Sequence, residues 1–320
     1  MSNALLGRNF IIFSVMNANE KTLDSIIIGV FVFVSALCIF MYFLPAEMQD
    51  ALKARTDTWN LATFFMSTFV HANFNHLLGN FTSFFSFGVF IYVINRISNR
   101  RKQFLISLLL IIVLLPFIYN ISFALIANFV IKRSLVSCGL STVVAGLIGL
   151  TVPSLCIFVR DLLQNEHNTL CFLTSLMFLT GSAMAFPYIS FGLYNLVVFI
   201  TTCSLGVLLL SKVGKEVIAS AKQKPNTKKT AIIALTVVLI YFTFLMSLFP
   251  SDIIISQGNA VNIFAHYIGI FYGIISGIYT LNVFQRTHQP EISTKIYHEN
   301  LSKSFPRVIV NILIFRKITL

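Results

Sequence analysis

Charge is scarce in this sequence. Of 320 residues only 11% are Asp, Glu, Lys or Arg, and just eleven are acidic; a soluble globular domain carries roughly a quarter charged residues. With 57% hydrophobic residues, that scarcity excludes an ordinary soluble fold. Cysteine is sparse as well. Cys38, Cys138, Cys156, Cys171 and Cys203 show no paired spacing and lie in or beside apolar runs, so neither a disulfide framework nor a zinc motif follows from them. There is no repeat of fixed period and no low-complexity tract. The apolar patch 10–15 is too short for a signal-peptide core, so the first full apolar span is expected to serve as the insertion signal.

Long apolar runs are abundant. A membrane-crossing helix needs about 20 mostly apolar residues. Eight stretches fit: 26–44, 76–94, 104–131 (interrupted by Pro116), 138–159, 170–185, 189–210, 231–249 and 261–284. The expected fold class is an all-α polytopic membrane protein. It would have a cytoplasmic N-terminal segment 1–25, a membrane domain 26–284 and a cytoplasmic basic tail 285–320. The net charge of +12 reads as topology and not as a nucleic-acid site, because the basic residues sit between the spans. Arg96, Arg100, Arg101 and Lys102 mark one inner loop. A cytoplasmic basic loop 211–230 carries Lys212, Lys215, Lys222, Lys224, Lys228 and Lys229. With the N-terminus inside, eight spans return the tail to the same side. Lys53, Arg55, Lys132 and Arg133 fall on the outer side as exceptions. The outer loop 45–75 is long and partly apolar, suited to lying in the membrane interface. Lacking a transit peptide, the chain is expected in a prokaryotic plasma membrane.

Every acidic residue falls outside these eight stretches, so any chemistry within the membrane must use other groups. Ionisable groups kept inside a membrane are costly and usually functional, which directs attention to histidine. His71, His76 and His266 lie in or beside spans; His167, His288 and His298 do not. His76 and Asn80 are four residues apart and share a helix face near the outer end of the second span. Gly139-Leu140-Ser141 opens the fourth span at the same level, and His266 lies about a turn into the eighth. Distant segments thus bring polar groups to one depth, sheltered by helices yet open to outside water.

These residues resemble the motifs of the rhomboid intramembrane serine proteases. The likeness runs from Trp59 to Gly277 in the family's order. It is carried by His71-x4-His76-x3-Asn80, by Gly139-x-Ser141, and by Ala265-His266-x2-Gly269 with Gly273 and Gly277. The resemblance implies a rhomboid-like helix bundle with a six-span-like core and an intramembrane serine endopeptidase. Ser141 would be the nucleophile and His266 its general base. His76, Asn80 and the backbone N–H groups around Leu140 and Ser141 would hold the oxyanion, with Gly139 shaping their approach and His71 shaping the loop or the oxyanion side. Gly269, Gly273 and Gly277 would let the last helix press on the serine helix. Substrates would be transmembrane proteins, with no cofactor, metal or nucleic acid. Thr142 stands where family members often have glycine or alanine. Ala145 replaces an aromatic that stacks on the histidine in some members, Trp59-Asn60 replaces a Trp-Arg pair, and two extra spans separate Ser141 from His266. A proteolytically silent relative that binds membrane-protein clients is the alternative, and a transporter using the buried polar groups is a more distant one.

Overall fold

The structure, a computed structural model, describes residues 19–163, 165–223, 255–256, 259–260 and 263–281, with separate positions between 232 and 248. Seven helical segments among them are long and apolar enough to cross a membrane, and the chain is an integral multi-pass membrane protein. Within the expected span 231–249, residues 232, 235–236, 238–243 and 245–246 are helical, and the tail 285–320 lies outside the described residues.

Helix α1 spans Glu20–Tyr42. It begins before the expected position because Asn19 accepts the N–H of Thr22 and Glu20 sits favourably in the first turn. Residues 20–25 are therefore helical. Asp24 on α1 pairs with Arg101 at 3.0 Å and Arg96 at 3.5 Å, and Glu20 meets Arg101 at 3.2 Å. These ion pairs tie together the ends of three helices.

The outer loop is built, not loose. It holds α2 (Ala46–Leu52), β1 (Ala54–Arg55), α3 (Leu61–Met66) and a tight 3-10 turn, Ser67–Phe69. Asn60 caps α3, and Asn73 caps α4 (Phe74–Ile97) by accepting the His76 N–H at 2.8 Å. The third apolar run divides into α5 (Arg101–Val113) and α6 (Leu115–Ile126), followed by a π-helical turn, Ala127–Ile131. Pro116 explains the division, since it cannot donate the helical hydrogen bond to the preceding turn.

Strand β2 (Val136–Ser137) pairs antiparallel with β1, Arg55 opposite Val136. It leads into α7 (Ser141–Leu163). That helix outruns its expected end, so Arg160 and Asp161 lie within it, 3.7 Å apart. Asp161 thus lies on a helix although it falls outside the expected span 138–159, as Glu20 and Asp24 lie on α1 ahead of 26–44. Next come α8 (Glu166–Ala185), a 3-10 turn around Pro187 (Phe186–Phe191), and α9 (Leu193–Gln223). Helix α9 also runs on, placing Lys212, Lys215 and Lys222 on a helix where a basic loop 211–230 was expected. The first proline in that stretch is Pro225, so nothing earlier breaks the hydrogen-bond ladder outright. A short pair, β3 (Ile255–Ser256) with β4 (Asn259–Ala260), precedes the last described helix, α10 (Ile263–Thr280).

The core runs through α1, α4, α5, α7, α8 and α10, with α7 at its centre: Val143 to Leu150 and Leu155 to Val159 are all but fully buried at their apolar positions. Helices α7 and α10 run parallel. Gly269 faces Thr142 and Ala145, Gly273 faces Gly146 and Leu150, and Gly277 faces Leu150 and Pro153. Parallel helices in a membrane require an odd number of crossings between them. Helices α8 and α9 supply two, and the helical residues 238–243 mark the place of a third.

Candidate active site

The segment before Ser141 is held by the outer loop. Gly139 donates its N–H to Ser67 O at 2.9 Å, and Leu140 donates its N–H to His71 Nε2 at 3.4 Å. His71, 2% exposed, places Nδ1 3.1 Å from Phe69 O. Both contacts are satisfied by one neutral tautomer, with Nδ1–H donating and Nε2 accepting. Burial, and then the neighbouring His76, hold the His71 imidazolium down to about 4, so the neutral ring is the stable one at neutral pH. The two rings stand edge to face at 5.3 Å. Upstream, Thr56 exchanges bonds with Leu135, its N–H to Leu135 O at 3.0 Å and Leu135 N–H to its Oγ1 at 2.8 Å. Tyr119 and Ser137 share a hydroxyl contact of 2.7 Å.

Gly139 sits at φ +114°, a conformation that side chains rarely adopt. A Cβ there would come within 2.6 Å of the His76 ring and 3.6 Å of Asn80 Nδ2. Thus His76 and Asn80, on one face of α4, both lie against the backbone just before Ser141. Asn80 is 8% exposed, and its buried Nδ2 has no hydrogen-bond partner among the described residues. Buried donors are almost always paired, and an orphan aimed at a glycine turn is a donor waiting for an acceptor. Ser141 and His76 are only half-buried, so the place is reachable.

Helix α10 brings His266 to this level. The parallel register of Gly269, Gly273 and Gly277 against α7, continued one turn toward the N-termini, puts His266 at the height of Ser141, the start of α7. His266 is 6% exposed, and its Nδ1 lies 2.8 Å from Leu248 O. A carbonyl only accepts, so Nδ1 carries the proton and Nε2 keeps its lone pair. Ala145 is fully buried where Gly269 approaches it, which leaves no room for the aromatic seen in some rhomboids. The ring is oriented by Leu248 O instead.

In this structure the Leu140 N–H is taken by His71 Nε2, so His71 accepts from the backbone of the loop. The roles of Ser67, Phe69 and Leu248 rest on backbone carbonyls, which no residue identity announces. Among the described residues no group of three or more His, Cys, Asp or Glu could hold a metal ion. No protein-family model, no curated protein and no solved structure matches this chain.

Proposed function

We propose that this protein is an intramembrane serine endopeptidase of the rhomboid type, cutting transmembrane or juxtamembrane segments of other membrane proteins near the outer face. The observation that carries the reading is the buried Asn80 Nδ2, which has no partner among the described residues and is set with His76 against the glycine turn that introduces Ser141. Its support is the His266 tautomer, fixed by Leu248 O so that the ring's other nitrogen can act as a base.

In this reading Ser141 Oγ attacks the scissile carbonyl while His266 Nε2 takes its proton. The oxyanion meets His76 and Asn80 Nδ2. His266 then returns the proton to the leaving amine, and an acyl-enzyme remains on Ser141. Water entering from outside, deprotonated by the same ring, releases the acid. A dyad without a carboxylate suffices because the backbone carbonyl of Leu248 does the orienting. A substrate helix must unwind to present its peptide bond, so helix-breaking residues should favour cleavage. Both termini would face the cytoplasm of a prokaryotic plasma membrane, on the side where Arg96, Arg100, Arg101 and Lys102 lie.

The test is purified protein in detergent, treated with a fluorescent fluorophosphonate and with a single-span model substrate. Wild type should label and cleave, and Ser141→Ala should do neither. Labelling or cleavage retained by Ser141→Ala would falsify the assignment, as would an inert wild type that is demonstrably folded.

A further inference from the structure

We infer that Asn120, on α6, is a positioning residue for Ser141, acting through the outer loop. The inference rests on the reading of Ser141 as nucleophile. Asn120 is 2% exposed, and its amide nitrogen faces three acceptors: Phe64 O at 2.7 Å, Pro116 O at 3.1 Å and Ser67 Oγ at 3.4 Å. The amide has two hydrogens, so the two shorter contacts take them. One of these stays within α6. The other crosses to α3 and holds Phe64 O, to which the Ser67 hydroxyl also donates at 3.3 Å.

Ser67 is where the loop turns toward the site. Its carbonyl accepts the Gly139 N–H, and two residues on Phe69 O orients the His71 ring that accepts the Leu140 N–H. Two consecutive backbone N–H groups directly ahead of Ser141 are therefore placed by a segment that Asn120 fastens to α6. A single hydrogen bond between membrane helices stabilises a fold only slightly. Its value here is geometric, since a misplacement of about 1 Å at a reacting group costs roughly a hundredfold in rate. The signature of positioning is thus a slow active site in an intact protein.

The experiment follows fluorophosphonate labelling of full-length protein over time, separating the rate constant from the final labelled fraction. Asn120→Ala should slow labelling about tenfold or more while the final fraction reaches that of wild type. With the model substrate, kcat should fall and KM stay. Asn120→Ser keeps one donor and should fall between the two. Asn195→Ala in α9, which removes a similar side-chain bond to Tyr188 O (2.9 Å) in the preceding 3-10 turn, should label at the wild-type rate. An unchanged rate constant in Asn120→Ala overturns the inference. So does a lower final fraction with an unchanged rate, or a variant that does not fold, because either makes Asn120 a folding residue only. A wild type that does not label overturns the reading of Ser141 and this inference with it, whereas a labelled wild type with an unaltered Asn120→Ala overturns this inference alone.

Discussion

Two helix pairs in this protein are rich in small residues, yet they are built differently. Along the α7–α10 seam, backbone meets backbone. Gly149 lies against Ile270 O, Gly273 against Gly146 O, and Gly269 against Thr142 O, leaving no room for a methyl group. In the α8–α9 hairpin, contact is made by side chains. Gly206 faces the Leu179 side chain, Ser175 Oγ donates to Gly206 O at 2.7 Å, and Ser182 Oγ donates to Phe199 O at 3.4 Å. Most of α9 faces outward, with Leu193, Tyr194 and Leu208 among its exposed residues. Side chains can change rotamer and absorb a shift, whereas touching backbones cannot. The seam therefore fixes the relative height of Ser141 and His266, and the hairpin is an annex whose adjustment leaves that height alone.

Substituting single residues sharpens this contrast. The largest effect is expected from Gly273→Ala. Its methyl group would overlap the Gly146 carbonyl, forcing the helices apart at a cost of about 1–3 kcal/mol. Thermal unfolding in detergent should show the loss of stability, and fluorophosphonate labelling should fall with it. A Gly273→Ala protein as stable and reactive as wild type would refute the seam argument. Next comes Asn80→Ala. On the proposed reading it removes one oxyanion donor, worth roughly 10²–10³ in kcat, and because Nδ2 has no partner among the described residues, stability should hold or rise. Equal cleavage rates would remove Asn80 from the site.

A smaller effect concerns pH. His71 binds its proton at about 4 in the folded protein against 6.5 for the free side chain. Between those values the unfolded chain holds a proton that the folded chain lacks. Stability should be complete above about pH 6.5 and decline as pH falls toward 4, and His71→Gln should flatten that slope in melting curves recorded across the window. The smallest effect is expected in the annex. A methyl group added at Gly181 in α8 would meet nothing within 4 Å, so Gly181→Ala should leave labelling unchanged and raise helix stability by up to about 1 kcal/mol. A damaged active site in that variant would show that the hairpin is coupled to the seam after all.

Much of the membrane architecture could be read from residue type. The apolar runs located five of the crossings to within a few residues, and Pro116 marked the break between α5 and α6. The spacing of His76 and Asn80 predicted a shared face, and the structure puts both against Gly139. Helix ends were less legible. Asn19 extended α1 by a cap, and α9 ran past Leu210 because lysine is a good helix former that need not mark a loop. The features hardest to foresee were contacts to main-chain atoms. Leu248 O, Ser67 O and the pairing of Arg55 with Val136 depend on where the chain passes, and leucine, serine or valine at those positions carries no sign of it. Thr142 and Ala145 looked like departures, yet Ala145 is the size that the close approach of Gly269 demands.

The parallel seam has a consequence for synthesis. Helix α7 emerges early and α10 comes after every other described crossing, so a ribosome-bound chain carries the hydroxyl of Ser141 long before it carries the imidazole of His266. Until α10 packs into the slot lined by Gly146 and Gly149, a half-made molecule lacks one half of the pair that the proposed chemistry needs.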